Sequence, residues 1–123
     1  MKVAVLGASP KPDRYSNKAV RLLVEHGHEV FPVNPGYDQI EGLPAVRSVS
    51  ELMPGSVDTL TVYVGPDRSA ELAEDMLLLK PRRVIFNPGA ENRDLAEALR
   101  AADIEVLEAC TLVLLNTGQF GEP

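Results

Sequence analysis

Short apolar runs alternate along this chain with stretches whose apolar residues recur every three to four positions. Val3 to Leu6 is the first run; Gly7 ends it, and a Pro/Ser/Lys loop leads into a helical pattern from about Ser16 to His26. On that pattern Ala19, Val20, Leu23 and Val24 share one face, Ser16 or Asn17 is placed to cap the start, and Gly27 to stop the end in a left-handed conformation. His28 to Val33 reads as the second strand. Asn34-Pro35-Gly36 then opens an irregular stretch to about Pro54, where Ser48-Val49-Ser50-Glu51 has capping-box spacing for one or two helical turns. Val57 to Val64 alternates and is rich in β-branched residues, as a buried strand would be. Gly65-Pro66 closes it and Asp67 is placed to cap a helix to about Leu79. Arg83 to Phe86 is a fourth strand, a helix capped near Asn92 carries Leu95, Leu99 and Ala102, and Ile104 to Leu107 is a fifth strand. The tail from Thr111 to Leu115 fits either a docked helical turn or another strand.

Strands alternating with helices at this spacing require right-handed crossovers, and so a parallel sheet covered on both faces. The expected fold is an α/β, Rossmann-like three-layer domain over residues 1–123, with a mostly parallel five-stranded sheet and helices on both faces. In such sheets ligands bind beyond the carboxyl ends of the strands, near the point where the strand order reverses. Those ends are Gly7-Ala8-Ser9, Asn34-Pro35-Gly36, Val64-Gly65-Pro66, Asn87-Pro88-Gly89 and Glu108-Ala109-Cys110. Gly and Pro beside small or amide side chains end strands in any protein, but gathered on one edge they let backbone approach a ligand closely.

The loop from Gly7 to Asn17 is the most informative of these. It leads into the amino end of a helix, where unpaired N–H groups and a partial positive charge suit an anion, with Lys11, Arg14, Ser9, Ser16 and Asn17 alongside. The competing reading is a solvated charged turn. A dinucleotide fingerprint would need glycines where Ser9 and Pro12 stand, and Pro12-Asp13 replaces the Gly-Lys of a Walker loop. The second strand ends in Asn34 where an NAD site usually has a carboxylate; an amide tolerates a phosphorylated ribose, although Asn-Pro is also an ordinary turn starter.

Charge sharpens this picture. The 123 residues carry a formal net charge of −6, yet residues 1–21 hold five Lys/Arg against one Asp, a local +4. An acidic surface repels nucleic acid and anionic membrane, so the expected partner is a small anion at a local basic pocket. The single cysteine cannot form an internal disulfide, and the apolar start is too short for a signal peptide or a bilayer span, which together suggest a cytoplasmic setting. A homo-oligomer or a partner enzyme stays open.

Catalytic constellations are missing. No tyrosine is followed by a lysine four residues later, no nucleophile elbow occurs, and no cysteine-rich metal spacing is present. His26 and His28 fall on the edge away from the expected site, as do Asp58, Arg82 and Arg83, whereas Glu91, Asn92 and Glu108 lie nearer to it without forming an acid/base pair. Cys110 follows the fifth strand at the binding edge, either as a small buried hydrophobe or as a thiol within reach of a ligand.

Gly7-Ala8-Ser9, Lys11-Pro12, Arg14-Tyr15-Ser16-Asn17, Pro32-Val33-Asn34-Pro35, the Val57-Asp58 strand start and Asn87-Pro88-Gly89 together resemble the small stand-alone CoA-binding protein family. The similarity covers nearly the whole chain. That family is similar in fold to the nucleotide domain of the succinyl-CoA synthetase α subunit. The resemblance implies coenzyme A or an acyl-CoA as ligand. It implies Gly7, Ala8, Ser9, Lys11 and Arg14 around the phosphates, Asn34 and Pro35 by the ribose and its phosphate, and Val64, Gly65 and Pro66 beside the adenosine or the pantetheine arm. Asn87 is the remaining implied position, and there the chain departs from the family, having Phe86-Asn87 where many members carry Trp and Gln. The synthetase's phosphohistidine region has no counterpart here, so the expected role is binding without catalysis. A small NAD(P)-dependent oxidoreductase and an interaction domain with a vestigial nucleotide pocket are the alternatives.

Overall fold

The computed structural model describes residues 1–123. Five strands, β1 (Lys2–Leu6), β2 (Glu29–Val33), β5 (Thr59–Val62), β6 (Arg83–Phe86) and β7 (Glu105–Glu108), form one sheet in the order β2-β1-β5-β6-β7. All four pairings are parallel. The chain moves outward from β1 to β2 and then crosses back to β5 on the other side of β1, so the order reverses between β1 and β5.

Alternation along the strands creates two cores. Ala4, Leu6, Leu60, Val62, Val84 and Phe86 face one way, against α3 (Ala73–Leu79), which follows α2 (Pro66–Glu71), and α4 (Arg93–Ala101) through Met76, Leu79, Leu95 and Leu99. Val3, Val5 and Ile85 face the other way, against α1 (Tyr15–Glu25), α5 (Thr111–Asn116) and the tail through Val20, Leu23, Leu115 and Phe120. This is the expected three-layer Rossmann-like arrangement.

Local differences from the sequence reading have physical causes. Arg14, not Ser16 or Asn17, is the N-cap of α1, because both of those side chains are buried inside the first turn. The helix expected from Asp67 to Leu79 begins at Pro66 and breaks at Leu72. There the N–H of Leu72 bonds back only three residues to the Ser69 carbonyl, at 3.0 Å. The buried Ser69 hydroxyl bonds to the Pro66 carbonyl and accepts from Asn92 Nδ2, which anchors this turn from outside the helix. Of the two readings of the tail, the helix is the one observed. Between β2 and a short 3₁₀ turn at Val49–Glu51 lies a small hairpin of β3 (Gln39–Ile40) and β4 (Leu43–Pro44) that the sequence reading left irregular. Glu41 and Gly42, both at positive φ (52° and 75°), make its turn.

Other expectations hold in detail. Gly27 adopts φ +85° just past α1, and the Asn92 side chain accepts from the Leu95 N–H at the start of α4. The outer edge of β2 is covered: Val46 N–H bonds to the Pro32 carbonyl at 3.0 Å and Asn34 N–H to the Val46 carbonyl at 2.9 Å.

Candidate functional site

The site grows from the point where β1 and β5 end side by side. Gly7 turns the chain at φ +86°, and a Cβ there would lie 2.8 Å from Val64 Cγ1 and 3.3 Å from the Tyr63 carbonyl carbon. Only glycine permits both that conformation and that approach. The following loop is held from several sides. Asn34 Nδ2 donates to the Ala8 carbonyl at 2.7 Å, Asn17 Nδ2 to the Ser9 carbonyl at 2.8 Å, and Arg21 Nη2 to the Pro12 carbonyl at 2.9 Å. Asn17 Oδ1 accepts from Arg21 Nε at 2.8 Å, coupling two of these clamps. The loop carbonyls are therefore tied inward, and the first turn of α1 has no side-chain cap on its N–H groups. A helix N-terminus left in this state favours an anion.

Three cavities adjoin around Tyr63, which lines each of them. The first, about 260 Å³, lies beyond β1 and β2; Asn34, Pro35, Gly7, Val64, Leu72 and two arginines, Arg47 and Arg68, are among its walls. A middle cavity of about 270 Å³ is lined by Gly7, Ser9, Arg14, Tyr15, Ser16 and Pro88. The third, about 290 Å³, is mostly apolar and bounded by Tyr15, Asn87, Pro88, Cys110 and Leu112. Three arginines and no carboxylate line this groove, although the protein carries 18 Asp and Glu. Such a sign bias focuses positive potential on a concave surface.

Polar groups beneath the groove are mostly consumed by the fold. Asn87 is buried; its Nδ2 donates to Thr61 Oγ1 at 2.7 Å and the Val62 carbonyl at 2.9 Å, and its Oδ1 accepts from the Thr111 N–H at 2.9 Å. It ties β5, β6 and α5 together under the third cavity. Asn34 is likewise committed, since its Oδ1 also accepts from the Gly36 N–H at 2.8 Å. The Tyr63 hydroxyl is the exception, buried without a hydrogen-bond partner. Burial, with Cys110 close by, pushes its phenol well above the usual range, so it stays neutral.

The structure therefore brings Gly7, Ser9, Arg14, Asn34, Pro35, Val64 and Asn87 to the groove. Ala8 is buried behind it, and exposed Lys11 lines none of the three cavities, nor do Gly65 and Pro66, which form the N-cap and first residue of α2. Sequence reasoning missed Arg47, Arg68, Tyr63 and Tyr15. Arg68 stands only two residues beyond the strand-end signal at Pro66, a cue available in the sequence; Arg47 comes from the irregular segment and had none.

A model of the CoA binding domain family matches residues 1–116. The chain belongs to that family. A solved structure of an uncharacterized protein is 39% identical, with 97% of both chains covered and a TM-score of 0.90. The Bacillus subtilis protein YneT, itself uncharacterized, is 34% identical over 76 residues, which are 62% of this chain and 56% of that protein. The α subunit of the ADP-forming acetate–CoA ligase II of Pyrococcus furiosus is 36% identical over 63 residues, half of this chain but 14% of the subunit. The match thus spans little more than half of YneT and a small part of the ligase subunit. No helix in the structure is long and apolar enough to cross a membrane.

Proposed function

We propose that this protein binds coenzyme A or an acyl-CoA along the carboxyl edge of its sheet, as a cytoplasmic one-domain module over residues 1–123 that makes no bond itself. Membership of the CoA binding domain family supports the ligand. The observation that carries the reading is the order of environments around Tyr63: a cationic cavity, then a donor-rich one at the start of α1, then an apolar one ending at Cys110. Coenzyme A presents the same order of chemistry, from phosphoadenosine through diphosphate to the pantetheine arm.

In this arrangement the N–H groups of the loop after Gly7 and of the first turn of α1 take the diphosphate, with Ser9 and Arg14 beside it. Asn34 and Pro35 border the ribose, Val64 is a wall for the adenosine, and Asn87 keeps the floor of the pantetheine channel in place. Gly65 and Pro66 act at one remove, by setting where α2 starts. The phosphomonoester alone adds a charge of about −1.5 to −2 at pH 7, so a groove without carboxylates suits the ligand despite the acidic remainder of the molecule. A chain of this kind serves as a carrier, a sensor or a regulatory subunit.

A thermal-shift panel with CoA, acetyl-CoA, NAD, NADP and ATP tests the reading, since a ligand that binds only the folded state raises the midpoint with occupancy. CoA and acetyl-CoA are expected to give the largest shifts, and saturating acetyl-CoA, which has no free thiol to consume the reagent, should slow alkylation of Cys110 by N-ethylmaleimide. No shift with CoA, or a nicotinamide nucleotide that binds and is not displaced by CoA, would sink the proposal.

A further inference from the structure

We infer that Arg47 and Arg68 form a subsite for the phosphate on the ligand's ribose, and that this pair sets a preference for phosphorylated over unphosphorylated adenosine ligands. The inference rests on the reading of the groove as a nucleotide-cofactor site. Arg47 and Arg68 both line the same cavity of about 260 Å³ although they arrive from distant parts of the chain, Arg47 before the 3₁₀ turn and Arg68 from α2.

Their pairing leaves capacity for an anion. Arg47 Nη2 makes one contact with Asp38 Oδ1 at 3.0 Å, with both side chains largely exposed, so part of its fork is unused. Arg68 makes no ion pair and no side-chain hydrogen bond within the protein. The rest of the wall is apolar or neutral, with Leu6, Val33, Val64 and Leu72 offering contact to a base and sugar and no acid opposing a phosphate. At the end of β2, where a carboxylate would hold free ribose hydroxyls, stands Asn34, whose amide is engaged by Ala8 and Gly36. A planar guanidinium fork matches the geometry of a phosphate dianion better than a flexible ammonium would, and two arginines line this one cavity. The diphosphate has its own donors around Arg14 in the adjoining cavity, so the two arginines are left for a third phosphate.

A phosphate on the ribose occurs in CoA and also in NADP, so the test separates the two. Dissociation constants of CoA, dephospho-CoA, NADP and NAD are measured by calorimetry for the wild type, for Arg68→Gln and for the Arg47→Gln/Arg68→Gln double variant, with thermal midpoints as a folding control. Wild type is expected to prefer CoA over dephospho-CoA by roughly tenfold or more, the double variant to bring that ratio near one, and dephospho-CoA affinity to stay within about twofold. A preference that survives both substitutions, or equal losses for both ligands, overturns the inference and leaves the coenzyme A reading intact. NADP binding with the same arginine dependence and no CoA binding sustains the phosphate subsite while removing coenzyme A. A wild type that binds none of the four overturns both.

Discussion

The two edges of the sheet use similar residues to opposite ends. At the amino edge Arg83 is 4% exposed; its Nε donates to Thr59 Oγ1 at 3.1 Å and the Phe120 ring lies 4.8 Å from its guanidinium. The Met1 ammonium donates to His28 Nδ1 at 3.0 Å, His28 meets Phe120 edge to face, and Asp58 accepts from the Lys2 N–H. Arg83 and His28 are there packed against the Phe120 ring of the C-terminal tail. At the carboxyl edge Arg14, Arg47 and Arg68 border open cavities and the Tyr63 hydroxyl has no partner. The difference teaches that an arginine's role is set by what else converges on it: a sealed cation belongs to the fold, an open one is available to a ligand.

The largest test of this contrast removes the seal. Phe120→Ala is expected to cost about 3 kcal/mol of stability in urea unfolding, since a buried ring is lost and the face over Arg83 with it. CoA affinity should stay within about twofold. If affinity falls along with stability, the two edges are not independent and the contrast fails.

A smaller effect sharpens the carboxyl edge itself. Arg14→Ala should weaken CoA binding by about tenfold, whereas Lys11→Ala, outside the cavities and screened by salt, should cost about twofold or less. Unfolding midpoints of both should match wild type, as expected for exposed side chains. Equal losses would mean that the loop attracts the ligand only as diffuse charge.

The smallest effect concerns pH. Burial, followed by the charges of Met1, His26 and Arg83, holds His28 below its ordinary value of 6.5. The unfolded chain therefore takes up a proton that the folded chain resists, and stability falls as pH drops below about 6.5. In a thermal melt series between pH 7.5 and 5.5, His28→Gln should flatten this decline by a modest amount, and an unchanged slope would count against the sealed amino edge as a source of pH sensitivity.

The sheet was legible because the apolar run Val3–Leu6 and the alternating stretch Val57–Val64 are closed by Gly7 and by Gly65-Pro66, signals that tertiary context seldom overrides. The break at Leu72 was not, since no Gly or Pro marks it and its cause, Asn92 bonding to Ser69, lies more than twenty residues away. Asn17 carried genuine cap chemistry but spends it elsewhere, reaching back to the Ser9 carbonyl. The hairpin turn hid because Glu41 is an unusual residue at positive φ. For the site, strand-end glycines and prolines located the groove, while its charge depended on Arg47, delivered by a segment without periodicity.

Covering the outer side of β2 also bears on how copies of this molecule can meet. Pro32 has no N–H to offer, and its carbonyl is already taken by Val46, so β2 cannot template a further strand. That leaves β7 as the free border of the sheet, and its exposed Glu105 and Glu108 would place like charges side by side if two such borders aligned. Self-assembly by a continuous intermolecular sheet is thereby discouraged at both ends, and any association between copies is directed to helix faces and loops.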